Sequence, residues 1–96
     1  MEITSTTNET TTTLALDGWL DTSTAPILSA EIEKLDPDCE QLILDFTDLE
    51  YISSAGLRVL VTAHKTMHGN LTVTNSSPEV MQVLHMTGFD KRINLA

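Results

Sequence analysis

Strand-period and helix-period segments alternate along this chain, and that alternation narrows the possible folds more than any single residue does. The opening stretch "TSTTNETTTTLAL" reads as two strands around a polar break at Asn8-Glu9. Within it Leu14 and Leu16 alternate with Thr13 and Ala15, the period of a strand with one buried face. Gly18 is expected to end that strand. "LDTSTAPILSAEIEKLDPD" then carries the punctuation of a helix: Thr22 to Thr24 offer capping oxygens, Pro26 fits only a first turn, and Pro37 closes it. Ile27, Leu28, Ile32 and Leu35 recur at helical spacing, with Glu31, Glu33 and Lys34 mostly opposite. "QLILDF", Gln41 to Phe46, is a dense apolar strand, and "TDLEYI" after it reads as a loop. Ser54 to His68 makes a second helix stopped by Gly69, with Leu57, Leu60, Val61 and His64 as its apolar stripe and Arg58, Thr62 and Lys65 as a polar one. "NLTVTN" alternates cleanly, Leu71 and Val73 inward. Ser77 and Pro78 open a third helix with Val80, Val83 and Leu84 on its apolar face. Gly88 ends it, and "RINL" supplies a short last strand.

Strand–helix–strand connections are right-handed almost without exception. If successive strands are neighbours, every crossover helix therefore falls on the same side of the sheet. The outward strand positions agree, being largely threonine. A sheet covered on both faces would instead show continuous apolar strands, and only the third strand reads that way. The expectation is an α/β fold in one domain over residues 1–96: a mixed sheet of four to five strands with its helices mainly on one face.

Charge and composition exclude several functions. Fourteen acidic residues against five basic ones give a net charge of −9, which disfavours nucleic acid and anionic membrane surfaces and permits a partner with a basic face. No apolar stretch approaches the roughly 20 residues of a membrane span. Met1–Thr10 has no basic-then-apolar leader, so a cytoplasmic location is expected. The single cysteine, Cys39, precludes an internal disulfide and is read as incidental.

No catalytic constellation stands out. The four glycines, Gly18, Gly56, Gly69 and Gly88, are too scattered for a GxGxxG or Walker loop. His64 and His68 have a spacing that could share a metal, but no glutamate follows His64 as in HExxH and no cysteine lies near. His64 belongs to the apolar stripe and reads as a partly buried core histidine. His85 reads as a histidine near a helix C-terminus. The expectation is a protein that is not an enzyme and holds no cofactor or metal.

The remaining feature is "YISSAGLRVL", a helix start built from small residues. Unpaired N–H groups and the positive end of the helix dipole meet there, which favours an anion; a phosphoserine would bring about −1.5 to −2 charges. The plainer alternative is that Ser53 or Ser54 simply caps the helix.

"LILDFTDLEYISSAGLRVLV" resembles the signature of the STAS domain family, the anti-sigma factor antagonists, in which a strand ending in aspartate leads to a serine-rich helix start before Gly-Leu. "LALDGWLDTSTAP" and "MTGFDKRINL" resemble that family's first-helix turn and its exit from the third helix, so the likeness runs through the whole chain in order and spacing. The resemblance implies that Ser54, two positions before Gly56, is the phosphorylated serine, with Ser53 standing where the family often has aspartate. It places Asp21 near the partner surface and makes Asp45 the strand-end aspartate, which reads as a loop anchor accepting backbone hydrogen bonds. The expected partner-binding residues are Asp21, Ser53, Ser54, Gly56, Arg58 and Thr62, with Ser54, Arg58 and Thr62 lining one ridge of the second helix. The implied function is partner switching. The unphosphorylated protein would bind an anti-sigma factor that is also a serine kinase, releasing a sigma factor for transcription. Phosphorylation of Ser54 would break that complex and a PP2C-type phosphatase would restore it, with no direct nucleic-acid or membrane contact. The alternative is a constitutive STAS interaction or scaffold subunit, for example of a transporter or signalling complex, with Ser54 only a helix cap.

Overall fold

The computed structural model describes all residues from Met1 to Ala96. Its elements run β1 (Glu2–Asn8), β2 (Thr11–Leu20), α1 (Ala25–Glu33), β3 (Gln41–Ile52), α2 (Ser54–Thr66), β4 (Leu71–Thr74), α3 (Pro78–Met86), a 3₁₀ turn (Phe89–Lys91) and β5 (Asn94–Leu95). The five strands lie in sequence order, β1 antiparallel to β2 and every later pair parallel. With neighbours in sequence also neighbours in space, right-handed crossovers stack all three helices on one side. The α/β fold with a mixed sheet and one-sided helices is thus the one expected.

Alternation decides what is buried. Leu14, Leu16 and Leu20 of β2, Leu42, Leu44 and Phe46 of β3, and Leu71 and Val73 of β4 point to the helices and are essentially inaccessible. They meet Ala25, Leu28 and Ile32 of α1, Leu57, Leu60 and Ala63 of α2, and Val80 and Leu84 of α3. Phe46 is the one aromatic in this core. The other face carries Thr13, Ile43 and Thr72 side by side in register, half-buried and without a covering layer.

Four expectations need correction. Gly18 does not end β2, which runs on to Leu20. Its φ of +111°, open to glycine and strained for other residues, lies at the second of two β2–β3 register slips, both with the extra residue in β3, so β2 runs on opposite a bulged partner instead of stopping. "TDLEYI" is likewise not a loop: past the first slip β3 pairs again through Asp48 and Leu49 with Asp17 and Gly18, and past the second through Tyr51 and Ile52 with Trp19 and Leu20. Leu49 and Ile52 are buried there, at a spacing of three that a strict period of two cannot recognise as strand. Ile27 is 45% exposed and lies off the buried stripe of α1, about 100° around the helix from Leu28. On α2 the buried stripe extends along Gly56, Leu57, Leu60 and Ala63, leaving Val61 and His64 half-buried at its margin.

Candidate functional site

The C-terminal ends of β2 and β3 deliver two chain segments to one end of the sheet. Leu20 and Ile52 are partners in register, and the Ser53 N–H donates to the Leu20 carbonyl at 2.9 Å. Asp21 therefore follows one strand where Ser53 follows the next, which places the α1 turn beside the start of α2.

Asp21 organises that turn. Its Oδ1 accepts from the Ser23 hydroxyl at 2.8 Å, the Ser23 N–H at 3.0 Å and the Thr24 N–H at 3.1 Å. The Asp21 N–H in turn donates to the Thr24 hydroxyl at 2.8 Å, and that hydroxyl donates to the Trp19 carbonyl at 2.7 Å. These donors, the Ser23 hydroxyl foremost, hold the Asp21 carboxyl below its ordinary pKa and keep it charged. Thr24 occupies the N-cap position of α1, yet its side chain makes no cap bond to the helix. The Asp21 carboxylate orders the turn before the helix, and it is the Asp21 backbone carbonyl that accepts the Ala25 N–H, at 2.8 Å, a departure from the expected threonine cap.

The two serines divide two roles. Ser53 is the N-cap of α2, with extended backbone (φ −102°, ψ 176°) and its Oγ accepting from the Gly56 N–H at 3.4 Å. Ser54 is the first helical residue, is exposed, and makes no side-chain hydrogen bond. The reading of Ser54 as a cap is therefore corrected: a residue with helical backbone at that position points its hydroxyl outward, and the cap is Ser53.

Gly56 is buried one turn behind them. A Cβ there would come within 2.7 Å of Leu20 Cγ and 3.0 Å of Ile52 Cγ1, so the missing side chain lets the first turn of α2 seat directly on both strand ends. Arg58 and Thr62 are exposed with Ser54 along the same side of α2, and neither ion pair of the chain involves Arg58. Asp45 lies deeper in the sheet. Its Oδ1 accepts from the Thr47 hydroxyl at 2.6 Å, the Thr47 N–H at 3.0 Å and Asn75 Nδ2 at 3.1 Å. These bonds, led by the Thr47 hydroxyl, lower its pKa and tie the bulge of β3 to the loop after β4. Asp45 is an anchor, as expected, but part of its hold on Asn75 has no signal in local sequence.

The structure thus gathers Asp21, Ser53, Ser54 and Gly56 at one end of the sheet and lets Arg58 and Thr62 continue from it along α2. His64 is half-buried near the far end of that helix, which stops at Thr66 instead of the expected His68; His68 is exposed beyond it with a left-handed φ of +53°. His85 Nδ1 lies 2.8 Å from Asp90 Oδ2 just beyond the end of α3. No helix is long and apolar enough to cross a membrane.

Comparison with known proteins agrees with the fold. A protein of Bordetella bronchiseptica named as a proposed anti-sigma factor antagonist, BtrV, is 35% identical over 78 residues, covering 77% of this chain and 67% of its own. The anti-sigma factor antagonist SpoIIAA in its unphosphorylated form superposes with a TM-score of 0.85 at 20% identity, over 99% of this chain and 88% of that one. The Bacillus protein has also been solved phosphorylated, with a TM-score of 0.75 at 19% identity over 99% and 91% of the two chains. A sulfate transporter family protein of Wolinella succinogenes shares the fold at a TM-score of 0.79 and 14% identity, over 93% and 75% of the two chains. The sequence description that matches is the STAS domain, over residues 2–96. In strand order, in the sheet's one-sided helices and in nearly every residue matched, this chain belongs to the STAS domain family.

Proposed function

We propose that this chain is an anti-sigma factor antagonist, a binding protein and not an enzyme, switched by phosphorylation of Ser54. The observation that carries the reading is the division of labour at the start of α2. Ser53 takes the cap, which leaves the Ser54 hydroxyl exposed and uncommitted at the first helical position. A kinase needs such a hydroxyl. The phosphate would be held at the positive end of the helix, and it would set about −1.5 to −2 charges in the middle of a contact surface. Burying that charge against a partner without matching cations costs several kcal/mol, or orders of magnitude in affinity. No large rearrangement of the antagonist is needed.

In this reading the unphosphorylated chain binds an anti-sigma factor that is itself a serine kinase, in the cytoplasm, through Asp21, the α2 start and the ridge of Ser54, Arg58 and Thr62. A PP2C-type phosphatase resets it. The relative named as an anti-sigma factor antagonist supports the role, and the solved phosphorylated form of SpoIIAA supports the switch. The test is incubation with a serine-kinase anti-sigma factor and ATP, followed by mass spectrometry and binding measurements. Ser54→Ala should abolish phosphorylation and stay competent to bind, Ser53→Ala should still be phosphorylated, and Ser54→Asp should weaken the complex less than true phosphate does. Phosphate mapped to Ser53, or modification that survives Ser54→Ala, would reject the assignment. A chain never phosphorylated that binds a partner regardless of Ser54→Asp would be a constitutive scaffold module, the reading that the transporter family neighbour favours.

A further inference from the structure

Two of the chain's four aromatic residues are spent on its surface, side by side. Trp19 is 56% exposed and Tyr51 45% exposed, and their rings lie 5.4 Å apart between centroids, tilted at 49°. They are partners in the β2–β3 register, one step before Leu20 and Ile52 and hence two before Asp21 and Ser53. Trp19 is also braced: its carbonyl accepts the Thr24 hydroxyl, and its indole N–H donates to Glu50 Oε2 at 3.2 Å. Large aromatic rings held rigid at the surface bring contact area at little entropic cost, and tryptophan and tyrosine dominate the binding energy of protein interfaces.

What surrounds the rings is negative. Asp17 and Asp48 are register partners, both exposed, neither in an ion pair. Like charges set opposite each other across two strands repel, and nothing within the chain offsets them. With Glu50 and Glu79 they line a cleft of about 480 Å³ that no basic side chain enters. Tyr51 itself lines an adjoining groove of about 240 Å³ that runs between Ile52 and the Val80 and Val83 side chains of α3, rimmed by the same Glu50 and Glu79. The groove exists because β4 pairs only with Leu42 to Asp45, leaving the later part of β3 without a strand on that side. No group of three or more His, Cys, Asp or Glu side chains converges closely enough to hold a metal ion, so the carboxylates form a spread rim and not a cation cage.

We infer that the Trp19–Tyr51 pair and its acidic rim are the anchor for a protein partner presenting a segment in which arginine or lysine alternates with apolar residues. The inference rests on the reading that this end of the sheet is where the anti-sigma factor docks, and it extends that surface away from α2 to the tail of β3. A guanidinium stacks on the indole face, its charge meets Asp17, Asp48 and Glu50, and an apolar neighbour fills the groove beside Val80 and Val83.

Trp19 is the only tryptophan in the chain, so its fluorescence reports on this surface alone when the partner's own tryptophans are replaced by phenylalanine. The probe is the serine-kinase anti-sigma factor from the same genome, so altered, added to the unmodified chain. On binding, Trp19 emission should shift to shorter wavelength and its quenching by acrylamide should fall severalfold. Trp19→Ala and Tyr51→Ala should each lower affinity by about tenfold or more, while Asp48→Asn and Glu50→Gln together should flatten the loss of affinity between about 0.05 and 0.5 M salt. A complex that forms, is broken by Ser54→Asp, yet leaves Trp19 as quenchable as before would overturn the anchor and leave the switch standing. If the wild-type chain forms no complex, both are overturned. Should an alanine variant fail to fold, the quenching of the wild-type chain still decides.

Discussion

Gly56 lacks a side chain because Leu20 and Ile52 already fill the space one would need. Gly56→Ala should therefore destabilise the domain by about 1–3 kcal/mol through overpacking, despite the roughly 1 kcal/mol by which alanine favours a helix over glycine. A lower urea midpoint at unchanged slope would show it; an unchanged midpoint would mean that the first turn of α2 can lift off the strands without cost. Asp45 gives a second test at this scale. The Thr47 hydroxyl, and after it the Asn75 amide, hold its folded-state pKa below the ordinary 3.8. A depressed carboxylate contributes stability that is fully present above the unfolded value and is lost as pH falls through the folded one. Asp45→Asn should thus be slightly less stable at neutral pH and show a flatter decline below about pH 4, measured as urea midpoints from pH 7 to 2.5. Equal slopes for both chains would remove Asp45 as a contributor. The spacing of Ser54 from Gly56 is legible in sequence, whereas the choice of Ser53 as cap is not. Both serines offer the same oxygen, and only the extended backbone at Ser53 against helical backbone at Ser54 separates them.

Strands β2 and β3 are longer than local signals suggest, and the cause is a pair of register slips that bulge β3. A glycine inside a strand pattern and a spacing of three between Leu49 and Ile52 both look like strand ends. Pairing beyond the register slips recovers β2 to Leu20 and β3 to Ile52, because the reward of burying Leu20, Leu49 and Ile52 is collected only once both strands are present. Gly18→Ala places a Cβ on a backbone with φ +111° and should cost about 1–3 kcal/mol. It should also speed hydrogen exchange at the Ser53 amide, whose acceptor is the Leu20 carbonyl. Faster exchange in β4 instead would place the strain elsewhere in the sheet. The helices were easier to read. Ser77, whose Oγ accepts from the Val80 N–H at 3.2 Å, and Pro78 in the first turn mark the start of α3 by local chemistry alone.

At the scale of the molecule, nine excess negative charges are set against a single lysine–carboxylate ion pair, Lys34–Glu31. Self-repulsion should dominate the surface electrostatics, so raising sodium chloride from about 0.01 to 0.15 M, which shortens the Debye length from about 30 to 8 Å, should raise the urea midpoint. A fall with salt would mean that attractive pairs outweigh the repulsion. The sequence by itself determined the order of elements and, through threonine on the outward positions, the side on which the helices lie. Those follow from period and handedness, which act within a few residues or along one crossover. Only the tertiary structure decided how far β2 and β3 extend, which serine caps α2, and that Asp17 faces Asp48 while Trp19 rests on Tyr51. The strand ends and the cross-strand pairs depend on register between strands more than 30 residues apart in sequence, set by two one-residue slips invisible in either strand alone, and the cap depends on the extended backbone of Ser53, whose N–H is held by the Leu20 carbonyl.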